Sequence, residues 1–343
     1  ISLKGYNPNL TALSRNNIFG LPFTTDEANI VIIPVPWEAS VSNFEGTGNG
    51  PGKVLESSYQ IDLYDPFAPE AWKKGYAMES IDPTLASQNF QTRILARRYI
   101  KFLEAGGEPS DEGKTHDDCK AVNEACENLC IELEQKSLMY LEKGKTLVVL
   151  GGDHSVSLGL IRALARKHDG FGILQIDAHA DLRKDYQGFT HSHASIMYNA
   201  INTPGVINLV QVGIRELCPE ETGFIQDHPE KITTFFDYSL KSRLFEGALW
   251  KTICEEIVEK LPDEVYLTFD VDGLDPSLCP GAGTPLPGGL SYDQATYLLE
   301  TLIRNGKKII GADLVETGPG NIDGIVSSRL LFRIAGLLAV CNH

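Results

Sequence analysis

Six short runs of β-branched and aliphatic residues recur along the chain, each followed by a polar or glycine-rich turn and then a helical pattern. They are NIVIIPVP (29–36), KTLVVLGG (145–152), FGILQID (171–177), INLVQVGI (207–214), EVYLTFDVD (264–272) and KIIGADLVE (308–316). Their apolar character is continuous rather than alternating, which predicts strands covered on both faces and therefore a mostly parallel sheet. Helices are expected at 155–168, 247–260 and 291–305, the last with Ser291 as N-cap and Gly306 as stop. A final helix, GIVSSRLLFRIAGLLAV (324–340), closes the pattern. Strands alternating with helices imply an α/β fold, a three-layer α/β/α sandwich with right-handed crossovers. Residues 86–143 break the rhythm: they predict two long helices around an exposed loop, EAGGEPSDEGKTHDD (104–118). The expectation is one domain over 1–343, with this helical pair as an elaboration packed on it.

Composition narrows the function. A chain of 343 residues can bury a sizeable core. The formal charge of −16 argues against nucleic acid or an anionic membrane and favours cations, either metal ions or a positively charged substrate. No apolar run is expected to reach the roughly 18 residues of a spanning helix, and ISLKGYNPNL lacks the apolar core of a signal peptide. The seven cysteines form no C-x-x-C pair and suit buried thiols in a reducing cytosol, so a cytoplasmic setting is expected.

In an open parallel sheet, chemistry gathers at the carboxyl ends of the strands. Those ends are crowded with imidazole and carboxylate: Asp153 and His154 in GGDHS, then Asp177, His179 and Asp181 in DAHAD, then Asp270, Asp272 and Asp275 in DVDGLDP, and finally Glu316. Such a cluster repels itself unless cations neutralise it. Residues two apart in extended chain point the same way, so Asp177 with His179, and Asp270 with Asp272, can each aim at one point. With His154 and Asp181 they make six donors, too many for one tetrahedral zinc and too rich in oxygen for copper or iron–sulfur chemistry. The set suits two hard divalent ions sharing carboxylates, with manganese expected. Taken singly, each motif has a structural reading: DGLDP is a common turn, and Asp153 or Ser155 can cap a strand-to-helix turn. All three at strand ends point to metal.

GGDHS, DAHADL, SHAS and FDVDGLDPSLCPGAGTP, in this order and spacing, resemble the ureohydrolase family of arginase and agmatinase across roughly residues 30–340. VPWEAS…GNGPGKVLESS (35–58) resembles the family's early glycine-proline segment, while the region 60–140 departs from the usual pattern. The resemblance implies an eight-stranded parallel sheet and two Mn2+ ions. It places His154, Asp177, Asp181 and Asp270 on one ion and Asp177, His179, Asp270 and Asp272 on the other. It also implies a homo-oligomer, trimer or hexamer.

The family's reaction hydrolyses a guanidinium to urea and an amine. Guanidinium is cationic and a poor electrophile, so the ions are needed to lower the pKa of a shared water. By resemblance Glu316 pairs with the guanidinium, His193 shuttles a proton to the leaving amine and Asp181 also orients the nucleophile. His191 is a rival shuttle or an exposed loop histidine; Asp153 supports His154 rather than binding metal. Arg183 either binds a substrate carboxylate or makes a surface salt bridge, and by resemblance Glu216 stands near the substrate's amino end. Agmatine is favoured as substrate, with arginine or another guanidino acid as alternatives. Other classes are a metal-bound non-catalytic relative, which predicts a lost ligand, and a binuclear phosphoesterase, which predicts more basic residues at the strand ends.

Overall fold

Each of the six apolar runs forms a strand in the computed structural model, which describes residues 3, 5–13, 16–109 and 113–342. The strands are β1 Ile30–Val35, β2 Tyr76–Met78, β3 Thr146–Gly151, β4 Phe171–Ile176, β5 Val206–Ile214, β6 Ile232–Phe236, β7 Glu264–Asp270 and β8 Lys308–Val315. They make one eight-stranded sheet in the order β2-β1-β3-β8-β7-β4-β5-β6, and every pairing is parallel. The two strands that the runs do not predict, β2 and β6, are the edges. An edge strand carries less of the core: β2 is three residues long, and four of the five β6 residues are only half-buried.

The helices are α1 Gly50–Ser58, α2 Pro83–Glu104, α3 Lys114–Glu142, α4 Leu158–Ala165, α5 Ile196–Ile201, α6 Pro219–Asp227, α7 Asp237–Phe245, α8 Trp250–Glu259, α9 Tyr292–Arg304 and α10 Asn321–Asn342. Ser291 caps α9 in a reciprocal box with Gln294, and Gly306 follows the helix at φ +76, a left-handed conformation that glycine adopts without strain. The predicted loop 104–118 shrinks to the stretch between α2 and α3, and its residues 110–112 lie outside the described residues.

Apolar residues along each strand divide between two cores. Ile30 and Ile32 belong to the core that α1, α8, α9 and α10 cover, whereas Val31 and Ile33 belong to the core that α2, α3, α4 and α5 cover. The same alternation in β3 sends Val148 and Leu150 one way and Leu147 and Val149 the other. A continuous hydrophobic run therefore feeds both faces, which makes the three layers. One expectation is corrected: α10 is long and apolar enough to cross a membrane by length and composition. Ser327, Ser328, Arg329 and Arg333 interrupt its run and hide it from a simple count. In the fold 72% of its apolar window is buried, packed along β8 and α1. All seven cysteines are free thiols.

Candidate metal centre

Strand order decides what meets at the sheet's carboxyl edge. β3, β8, β7 and β4 are consecutive neighbours at the middle of the sheet, although they are scattered along the chain. His154 opens the short 3-10 turn after β3, Glu316 follows β8 directly, and Asp270 is the last residue of β7, with Asp272 in the turn beyond it. Asp177, His179 and Asp181 occupy the turn after β4. All six predicted donors and Glu316 thus sit at four adjacent strand ends.

Backbone contacts hold these turns. Asp177 Oδ1 accepts the His179 N–H at 2.7 Å, Asp270 Oδ1 accepts Asp272 N–H at 2.8 Å, and Asp272 Oδ1 accepts Ala178 N–H at 3.0 Å. Asp153 caps the His154 turn by accepting the Ser155 N–H at 3.0 Å, so it supports the turn, while Asp275 caps Ser277 and stands outside the cluster. Gly152 is required, because a Cβ there would stand 1.8 Å from the Trp37 carbonyl oxygen. Asp181 and Glu316 have φ of 54° and 62°, a left-handed conformation that is strained for any residue but glycine. Of the four non-glycine residues in that region among the described residues, two are these carboxylates, and such strain concentrates where a side chain must be aimed.

Two overlapping donor groups result. His154 Nδ1 lies 3.1 Å from Asp177 Oδ2, 3.0 Å from Asp181 Oδ2 and 3.6 Å from Asp270 Oδ2. It makes no properly directed hydrogen bond to any of them, so its nitrogen faces a gap ringed by carboxylates. His179 Nδ1 lies 3.0 Å from Asp272 Oδ2 and 3.7 Å from Asp177 Oδ1. His154, Asp177 and Asp270 form one trio whose ligand atoms fall within 4.8 Å of one another; Asp177, His179 and Asp272 form a second. Asp177 belongs to both, one oxygen turned to each. This is a binuclear metal-binding site: nitrogen and oxygen donors, buried, in excess of negative charge.

Electrostatics without ions fit that assignment. Burial pulls the His179 pKa down, but the charges of Asp272 and Asp177 outweigh it and carry it up to about 12. His154 is likewise raised, burial being overcome by Asp177 and Asp181. Burial and the Asp177 charge push Asp181 up to about 7, and burial with Asp272 and Asp177 pushes Asp270 well above the carboxylate range. Protons therefore occupy the metal-free cluster at neutral pH. A raised folded-state pKa, as in His179, means a proton retained as the pH climbs far past the ordinary histidine value, and bound cations must expel it. Mn2+ titration at pH 7 is expected to release protons, with apparent affinity falling as the pH is lowered. Calorimetry in two buffers of different ionisation enthalpy reads this release; a heat independent of buffer would contradict it.

Glu316 is 4% exposed; its Oε1 accepts the His154 N–H at 3.0 Å, and its Oε2 has no partner. Gly283 leaves room there, since a Cβ on it would stand 2.8 Å from that oxygen. Beside the donors opens a cleft of about 270 Å³ lined by His179, Asp181, His193, Arg183, Tyr186 and Glu216 among others. His193 places Nε2 3.5 Å from Ser42 Oγ and keeps Nδ1 buried without a partner. Burial, then the charges of His179 and His154, push its pKa down to about 3, so the imidazole is neutral. His191 does not line the cleft; its Nε2 stands 2.7 Å from a Glu127 carboxylate oxygen of α3. Arg183 Nε is 3.8 Å from buried Glu221, and its guanidinium lies 4.8 Å from the Tyr186 ring centre. Glu216 is largely exposed at the mouth, 3.5 Å from His179 Nε2.

The helical pair reaches the rim. Asn123 of α3 donates to the Gly188 carbonyl at 2.9 Å and accepts the Thr190 N–H at 2.9 Å, holding the segment that leads to His193. Arg93 of α2 donates to the Ala39 carbonyl at 3.1 Å and pairs with Glu45, holding the segment that carries Ser42. Sequence reading passed over Ser42, Tyr186 and Glu221 at the cleft, which have no motif of their own. It also passed over Gln175, Gln211, Thr268 and Asp313 beneath the donors, although a polar residue inside a buried apolar run is a visible signal.

The profile of the arginase family matches residues 28–338, through both long helices. An N(1)-aminopropylagmatine ureohydrolase of Thermus thermophilus is 33% identical over 314 residues, 91% of each chain. An agmatinase of Bacillus subtilis is 28% identical over 298 residues, 86% of this chain and 85% of its own. The fold is shared with proclavaminate amidino hydrolase from Streptomyces clavuligerus at a TM-score of 0.71 and 21% identity, covering 96% of this chain and 99% of that one. A continuous match over nine-tenths of the chain, with the strand-end donors drawn together as that fold requires, makes this protein a member of the arginase family.

Proposed function

We propose that this chain, acting as one catalytic domain, hydrolyses the terminal guanidinium of a cationic amine to urea and a free amine, with agmatine as substrate and two Mn2+ ions as cofactors. The observation that carries the reading is the buried, unpartnered Oε2 of Glu316 beside the donor cluster. A buried lone carboxylate oxygen is costly, and a guanidinium offers it a charge-assisted, bidentate partner. His154, Asp177, Asp181 and Asp270 would hold one ion, and Asp177, His179, Asp270 and Asp272 would hold the other. When bound, the ions would neutralise the carboxylates and lower the pKa of a water beside them. Asp181 would accept a hydrogen bond from the attacking water and aim it. Glu316 holds the guanidinium plane so that its carbon faces the nucleophile. Neutral His193, lining the cleft, relays a proton to the departing amine nitrogen.

Within the cleft, Arg183 is engaged by Glu221 and Tyr186, while Glu216 is exposed. That arrangement supports a substrate ending in an amine over one ending in an α-carboxylate. The 33% identity to an N(1)-aminopropylagmatine ureohydrolase supports a second reading, in which the amine carries an aminopropyl extension. Urea release should be measured with Mn2+ over agmatine, N(1)-aminopropylagmatine, arginine and 4-guanidinobutyrate. The expected result is kcat/KM at least about 100-fold higher for one of the two amines than for arginine, about 2.7 kcal/mol of discrimination. A preference for arginine overturns the substrate assignment; no urea from any of the four overturns the activity.

A further inference from the structure

Beneath the donor cluster, one row of the sheet is polar where its neighbours are apolar. Asp313 of β8, Thr268 of β7, Gln175 of β4, Gln211 of β5 and Thr234 of β6 are paired in direct register across five consecutive strands. The first four are completely buried. Polar groups in such a row must satisfy one another or cost stability, and an apolar row would carry no such demand.

The hydrogen bonds of this row run in a forced direction. Asp177 is an acceptor, so Gln175 presents its amide nitrogen, which donates to Asp177 Oδ2 at 2.8 Å and to the His179 carbonyl at 3.1 Å. Its Oε1 accepts from Gln211 Nε2 at 2.7 Å, and that nitrogen also donates to the Ala180 carbonyl at 2.8 Å. Gln211 Oε1 in turn accepts from Thr234 Oγ1 at 2.8 Å. Three of these bonds end on the turn 177–180, which supplies the donors from β4. At the other end of the row, Thr268 donates to Asp313 Oδ1 at 2.9 Å, so its oxygen accepts from His154 Nε2 at 2.7 Å. In the neutral imidazole that a metal ion requires, a proton held on Nε2 leaves Nδ1 free toward the carboxylates.

We infer that this transverse row, Asp313–Thr268–Gln175–Gln211–Thr234, is a positioning device for the metal centre: one arm orients Asp177 and its turn, the other sets the tautomer of His154. None of the five touches the cleft, so they are positioning residues rather than catalytic ones. The inference rests on the binuclear reading above. It is tested with full-length protein, stripped of metal and titrated with Mn2+ by calorimetry, with electron paramagnetic resonance to read coupling between the two ions. Gln175→Met keeps the side-chain volume and removes every hydrogen bond. It is expected to weaken Mn2+ binding about 10- to 100-fold and to alter the coupled-ion signal. Wild-type affinity and signal in a folded Gln175→Met protein overturn the inference. If that variant does not fold, the near-isosteric Thr268→Val decides by the same measurements and the same criterion. A wild-type protein that does not bind two Mn2+ ions would instead overturn the binuclear reading itself, so the two failures are distinct.

Discussion

Asp177→Ala is expected to abolish urea release and to destroy the binding of two metal ions per chain, read by titration with Mn2+. Asp177 alone belongs to both donor trios, with Oδ2 3.1 Å from His154 Nδ1 and Oδ1 3.7 Å from His179 Nδ1. Removing it takes one ligand from each ion and leaves two histidines facing fewer compensating charges. The fall in kcat should be at least about 1,000-fold, about 4 kcal/mol of transition-state stabilisation. Stability of the metal-free protein should change in a pH-dependent way. Burial alone would raise the Asp177 pKa, but His154 and His179 override it and hold the carboxyl below its ordinary value of 3.8. A depressed carboxyl contributes stability above its unfolded pKa and loses it as the pH falls through the folded value. Chemical denaturation should therefore find Asp177→Ala weaker at pH 7, with the deficit shrinking in acid below pH 3.8. Unchanged urea release would remove the ureohydrolase assignment.

With Glu316 as the proposed guanidinium partner, Glu316→Gln separates binding of the substrate from binding of metal. The amide keeps an oxygen for the His154 N–H but loses the charge and the second acceptor that a guanidinium needs. An expected loss of about 100- to 1,000-fold in kcat/KM should come with an unchanged Mn2+ stoichiometry. The free protein should become more stable, not less. Burial, then the charges of Asp153 and Asp272, hold the Glu316 pKa well above its ordinary 4.5. A carboxyl with a raised folded pKa favours folding only below its unfolded value, and that contribution is lost as the pH rises. The melting temperature of Glu316→Gln should thus exceed that of wild type at pH 7, and the gain should vanish below pH 4.5. Such a gain in stability with lost activity is expected where a site keeps an unpaired charge for its ligand. A destabilised variant with normal kcat/KM would place the guanidinium elsewhere.

The sequence by itself determined the fold class and the chemistry at the strand ends. Six strands were legible because burial on both faces demands near-continuous apolar runs, a demand that β1 meets at every position. The donors of the two trios were legible because His154, Asp177, His179, Asp270 and Asp272 each close or follow such a run within a few residues. Edge strands β2 and β6 escaped because they bury less, and α10 escaped as a long apolar helix because serines and arginines punctuate it. Only the tertiary structure decided the order β3-β8-β7-β4, and with it that donors more than a hundred residues apart share two centres. Register, too, is a property of paired strands, so the buried row from Asp313 to Thr234 has no signature in any one segment. The same holds for Arg183: its neighbours Glu221 and Tyr186 come from an adjoining helix and turn, and their contacts set which way its charge faces. Local patterns record what each segment must bury; which side chains then meet depends on how the segments pair.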